Sequence, residues 1–292
     1  MATGRFLLFC VGLALTGALR GADGLDRAQE LYHAHRYAEA QELFERVAAD
    51  EPDNVVALHY LGRLARTRQD LAAAYKYLGR ARELAPEDAN VVFDYGATAS
   101  LYAETQGMSI GAAFAARAGR SAMERAVELD PENLDYRQAL LEFYANAPGI
   151  VGGSLKKAHE QATAIGERDA RRGTYAQGNL LIQEKRYDEA LTIWRELRKD
   201  TPDDYWVLYQ IGRTLAAAGG PPDEGIAALQ RCLALPRPEG APGPSRVNWY
   251  LARLQREKGD IPAAREAYRA ALAIEPLNQE MATEMAKLPS DR

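Results

Sequence analysis

Cysteine is almost missing from this chain. Its 292 residues hold two, Cys10 and Cys232, and Cys10 lies in an apolar amino-terminal run. With that run removed Cys232 stands alone, so no intrachain disulfide can form in any compartment. Histidine is also scarce: His33, His35, His59 and His159 include no pair at metal-ligand spacing, and Cys232 is too isolated for a zinc site. A large charge of one sign is lacking. Lys and Arg number 36 against 41 Asp and Glu, a formal charge of −5, which indicates neither a nucleic-acid binder nor an acidic tail. β-Branched residues are thinly spread while alanine abounds, favouring close-packed helices over sheet. No HExxH, nucleophile elbow or dinucleotide fingerprint occurs. The stretch GIVGGSLKK at 149–157 has glycines without the phosphate-loop spacing, and reads as a turn joining two helices.

What is present belongs to a folded protein: 47% hydrophobic and 26% charged residues. After Arg5, positions 6–19 carry no charge; Arg20 ends the run, and Gly17, Ala18, Gly21 and Ala22 are small. This reads as a secretory signal peptide at 1–22, cut after Ala18 or Ala22 and short for a membrane span. A retained anchor is the alternative, and membrane contact is expected only then. Phe9 precedes Cys10, where a lipoprotein signal needs a small residue.

A period of 34 residues governs the rest. Gly62 recurs as Gly96, Ala40 as Ala74, Pro52 as Pro86, and Gly178 as Gly212. A fixed period of this length marks stacked supersecondary units with no single catalytic pocket. In the unit 55–88, Leu58, Leu61, Leu64 and Ala65 fall at helical spacing. Gln69-Asp70 breaks the pattern, and Leu71, Ala74, Leu78, Ala81 and Leu84 form a second helix that Pro86 closes. Two such helices pack closely where side chains are small, so Gly62 and Ala74 are expected to meet, with Leu58 and Leu78 beside them. Other units repeat the second helix with Ala40 and Phe44, Ala190 and Trp194, and Ala264 and Tyr268. Cys232 falls where these units place a core residue, and reads as a buried thiol.

The unit resembles the tetratricopeptide repeat, whose signature is an early Leu-Gly, a small Ala in the second helix, an aromatic residue four later and a closing Pro. The resemblance implies an all-α, right-handed α-solenoid over 23–290, of about seven helix-turn-helix repeats. These lie at about 21–54, 55–88, 89–133, 134–170, 171–204, 205–238 and 245–278, with a capping helix at 279–288. The third repeat carries eleven extra residues, with Gly107 at its turn and Ser109 as N-cap. The fourth carries about five extra in 147–154, and a Pro/Gly-rich linker precedes the seventh.

In proteins resembling these repeats, the first helices line a concave face. The positions that would point into it include Tyr60, Arg63, Arg66, Tyr175, Asn179, Trp206, Tyr209, Arg213, Arg246, Trp249, Tyr250, Arg253 and Arg256, with Tyr32, His33, His59 and Phe93 in the early repeats. Tyr, Trp and Arg dominate protein-binding energy. The implied function is a non-enzymatic scaffold in a bacterial envelope, periplasmic or secreted, that holds an acidic, partly apolar protein or peptide segment. No catalytic residue, metal, small-molecule cofactor or nucleic acid is expected. The carboxylate clamp of chaperone-binding repeats is matched only by Asn179 and Arg246; Tyr175, Gln210 and Tyr250 depart from it. The alternative is a structural envelope component that self-assembles or docks to a membrane complex.

Overall fold

The computed structural model describes residues 15–289, with side chains from residue 24 onward; most of the expected signal segment 1–22 therefore lies outside the described residues. Among the described residues there are fifteen α-helices, one 3-10 turn and no strand. The chain divides into two compact units, 1–161 and 162–292, and the division falls inside one helix.

The first unit holds α1 (Leu15–His33), α2 (Tyr37–Asp50), α3 (Val55–Thr67), α4 (Leu71–Leu84), α5 (Ala89–Thr105), α6 (Ile110–Leu129), α7 (Leu134–Asn146), the 3-10 turn Gly149–Val151 and the start of α8 (Leu155–Gly166). The second unit holds the rest of α8, then α9 (Ala170–Gln183), α10 (Tyr187–Asp200), α11 (Tyr205–Ala218), α12 (Pro222–Ala234), α13 (Pro244–Lys258), α14 (Ile261–Ile274) and α15 (Gln279–Ala286). Successive helices pack on one another from α1 to α7 in the first unit and from α9 to α15 in the second, and some first helices of hairpins also meet: α3 with α5, α5 with α7, and α11 with α13. The fold is the expected all-α solenoid of helix hairpins.

Local chemistry starts and stops these helices. Asn54, Asp70, Asp88, Ser109, Asn133, Asp169, Asp204, Asp260 and Asn278 each accept a backbone N–H of the following first turn, satisfying donors that the helix leaves open. Pro52, Pro86, Pro131, Pro202 and Pro276 stand just beyond a helix C-cap, where a missing amide proton costs nothing. His35, Gln69 and Lys185 make the hairpin turn at φ near +60°, as Gly107, Gly219 and Gly259 do elsewhere. His35 thus lies beyond α1, not on it.

The hairpin core differs in one respect from its expected form. A Cβ on Gly62 would come within 2.4 Å of Leu78 Cγ, and the nearest atoms around it all belong to Leu78. The close approach is therefore between Gly62 and Leu78, one turn after Ala74. Ala74 is itself fully buried, but it is not what the glycine makes room for. Gly178 repeats the arrangement under Trp194, whose ring atoms lie 2.2 Å from a would-be Cβ. Gly212 lies in the same way under Leu229, and Gly96 lies under Met123 and against the Gly119 carbonyl, a closer approach of the two backbones. Ala40, Phe44, Ala190, Trp194, Ala264 and Tyr268 are all fully buried. These four hairpins thus set a small residue on the first helix beneath a large one on the second, the interlocking that dense cores require.

Cys232 is buried, and its thiol donates to the Tyr205 carbonyl at 3.3 Å. Burial, helped by the Asp204 charge, pushes the thiol up to about 12. It is a protonated core group without thiolate reactivity. The 149–153 segment is a helix-joining turn: Gly152 adopts φ 105°, and a Cβ on Gly153 would strike the Ala147 carbonyl.

Candidate binding faces

The first-helix face of the first unit is closed by a buried carboxylate. Asp94 of α5 is 8% exposed. It accepts from His59 Nε2 at 2.7 Å and pairs with Arg66 at 3.0 Å, while Arg63 Nε stands 3.6 Å away. Burial pushes this carboxyl up, but the His59 hydrogen bond and the Arg66, His59 and Arg63 charges together outweigh it and hold it below the ordinary aspartate value. Arg63 also lies over the Tyr32 and Tyr60 rings at 5.3 and 5.8 Å, and Tyr60 stacks on Phe44 at 4.9 Å. Phe93 stacks on Tyr136 at 4.4 Å. Arg63 and Arg66, read from sequence as groups facing a partner, are thus neutralised within the chain.

Asp94 sits at the sixth position of its repeat, and reaches back to residues at the fifth, ninth and twelfth positions of the repeat before. The same register returns at the end of the chain. Glu284 of α15 accepts from Trp249 Nε1 at 2.8 Å and Tyr268 Oη at 2.9 Å, with Arg253 Nε 4.0 Å away. Trp249 is consequently buried and serves the joint with the last helix more than an open face.

Between these ends the register is broken. The group one repeat after Arg213 is Tyr250, which has no charge to offer. Arg213 instead donates to Asn179 Oδ1 and Gln210 Oε1, both at 3.1 Å, and Gln210 Nε2 donates to Asn179 at 2.9 Å. Among the described residues Arg213, Arg246 and Arg256 make no ion pair within 4 Å. Arg246 is exposed and lies 5.4 Å over the Trp249 ring. Trp206, Tyr175 and Tyr250 are half-buried against the core, and Tyr209 is buried, 5.9 Å from Tyr250. The first helices of the second unit therefore carry arginines without an ion pair, although Glu275 feels the Arg246 charge and Glu257 that of Arg256.

The sequence reading missed Asp94 and Glu284. The signal was available in the repeat register, where both acids fall at the position that Tyr60 and Tyr250 occupy. Among the described residues no group of three or more His, Cys, Asp or Glu side chains is placed to hold a metal.

Residues 31–92 and 209–278 each match a family profile described as tetratricopeptide repeat. No curated protein sequence is similar enough to count as a relative. Solved structures share the fold at low identity. A tetratricopeptide repeat protein from Parabacteroides merdae superimposes with a TM-score of 0.71 at 12% identity, over 92% of this chain and 98% of that one. The C-terminal part of a repeat-containing protein from Cytophaga hutchinsonii gives 0.56 at 18% identity, over 89% and 98%. A chain of the APC/C hetero-tetramer Cut9-Hcn1 gives 0.58 at 13% identity, over 89% of this chain and 48% of that one.

Proposed function

Because this chain is a tetratricopeptide-repeat protein, we propose that it is a non-enzymatic interaction scaffold whose second unit holds an acidic, partly apolar peptide segment on its concave, first-helix face. The carrying observation is that Arg213, Arg246 and Arg256 hold no ion pair within 4 Å among the described residues, in contrast to Arg63 and Arg66, which Asp94 occupies. Guanidinium groups without an ion pair, one of them over the Trp249 ring, suit a ligand that alternates carboxylates with apolar side chains. The fold shared with a chain of the Cut9-Hcn1 hetero-tetramer is one found within a protein complex, which supports the scaffold reading. Export to a bacterial envelope is part of the proposal. It rests on Arg5 and the uncharged run at 6–19, and amino-terminal sequencing of envelope protein checks it, an intact Met1 with a cytoplasmic location being the contrary result.

Peptides selected from an acidic display library on the full chain provide the test. Each charge-assisted hydrogen bond contributes roughly 1.5–3 kcal/mol, so Arg213→Ala with Arg246→Ala is expected to weaken binding by about 100-fold or more and to flatten its salt dependence. Unchanged affinity in that double variant would remove the proposed face.

A further inference from the structure

In three places the residue at the sixth position of a repeat reaches back to the first helix of the repeat before. Asp94 of α5 accepts from His59 of α3 and stands beside Arg63. Gln210 of α11 donates to Asn179 of α9 at 2.9 Å. Glu284 of α15 accepts from Trp249 of α13 and lies 4.0 Å from Arg253. The partners hold fixed places. His59 and Trp249 are fifth in their repeats, and each of their bonds spans 35 residues. Arg63, Asn179 and Arg253 are ninth. The crossing of these helices sets one side chain of the following repeat against the fifth or ninth position, whatever its chemistry.

The joint between α11 and α13 keeps this crossing across its longer linker. Tyr209, fifth in its repeat, lies 5.9 Å from Tyr250, sixth in the next. Here the sixth residue is a phenol. The ninth, Arg213, donates to the amide oxygens of Asn179 and Gln210. Arg246 and Arg256 act on Glu275 and Glu257 of the same unit, whereas the place of a carboxylate beside Arg213 is held by a neutral ring. In the first unit Asp94 is the only carboxylate within 4 Å of Arg63 or Arg66 among the described residues.

An acid at the sixth position and an acid on a ligand compete for one guanidinium. The internal acid is held in place by its helix and loses no freedom of association, so it wins. Asp94 is buried among His59, Arg63 and Arg66, and a ligand would have to leave that carboxylate buried without its partners. Tyr250 makes no such claim on Arg213. We propose that the sixth-position residue is an internal competitor that decides where an acidic segment binds: Asp94 shuts a latent face in the first unit, and Tyr250 keeps the Arg213 face open. The latent face has the same chemistry, with Arg63 and Arg66 beside the Tyr32 and Tyr60 rings. The inference rests on the peptide face proposed above and adds the residue that confines the peptide to one unit.

Both arms of the test use the full chain and the fluorescence anisotropy of labelled, carboxyl-amidated peptides from the acidic display library. In the first arm Tyr250→Glu gives Arg213 an internal acid. It is expected to bind a peptide selected on the parent about tenfold or more weakly than Tyr250→Gln, which has the same shape without the charge. That ratio should fall toward one in a chain already carrying Arg213→Ala, where no guanidinium is left to compete for. In the second arm Asp94→Asn is added to the chain with Arg213→Ala and Arg246→Ala, and the library is selected afresh. Peptides that crosslink to α3 and α5 are expected, and Arg63→Ala should release them. Equal binding by the two Tyr250 variants, a ratio that persists without Arg213, or no peptide on α3 and α5 of a folded Asp94→Asn chain would each overturn the proposal. If that last chain does not fold, the Tyr250 pair decides alone. Parent affinity unchanged by Arg213→Ala with Arg246→Ala is a separate outcome, which removes the peptide face itself.

Discussion

Replacing Trp194 by alanine is expected to lower the stability of the folded chain by about 3–5 kcal/mol, the range for a fully buried aromatic residue, measured by urea denaturation. The ring fills the space that Gly178 leaves open, and its Nε1 donates to Thr214 Oγ1 at 3.2 Å in a buried setting. Truncation therefore empties a cavity that the backbone of Gly178 lines, and removes the donor to a buried hydroxyl. Trp194→Leu should cost clearly less, because leucine does this work at the equivalent Leu78 over Gly62. A loss below about 1 kcal/mol for Trp194→Ala would mean that the small-under-large interlock does not hold the hairpins together.

The second large effect belongs to Asp94. Its folded value is depressed by His59, Arg66 and Arg63 despite burial. A depressed carboxyl contributes stability that is fully present above its unfolded value, near 3.8, and is lost as pH falls through the lower folded value. Asp94→Asn removes that contribution. At neutral pH it should destabilise the first unit by about 2–4 kcal/mol, since a buried pair is broken from one side while its partly exposed arginines can turn to water. The gap between the variant and the parent should narrow as pH falls below the unfolded value. A gap of the same size at pH 7 and pH 2 would show that the cost is steric and not ionic. The second unit lacks this carboxylate, and its unfolding should keep the parent pH dependence.

How much of this was visible beforehand depends on what sets each feature. The alternation of Gly62 with Leu78, Gly178 with Trp194 and Gly212 with Leu229 is written in residue size, so the period and the hairpins could be read directly. The identity of the contact was less accessible. Both Ala74 and Leu78 lie on the inward side of α4, and only the crossing of the two helices decides which meets Gly62. The turns at His35, Gln69 and Lys185 were hidden because the residues are not glycine, and the left-handed backbone there is imposed by helices packing on both sides. Among face residues, arginine and tyrosine at the right register could be recognised one by one. Whether an arginine is available to a partner depends on the sixth position of the following repeat. Asp94 consumes Arg63 and Arg66, Glu284 approaches Arg253 and draws Trp249 under α15, and Tyr250 leaves Arg213 free of a carboxylate. That rule joins residues about thirty apart, and appears only when the helices are set side by side.

Amide hydrogen exchange of the full chain, with and without a saturating acidic peptide selected on it, tests the scaffold account most directly. Protection should appear in α9, α11 and α13 around Asn179, Arg213 and Arg246, while α3 and α5, where Asp94 occupies the arginines, exchange as before. Protection confined to the second helices α10, α12 and α14, or spread through the first unit instead, would contradict it.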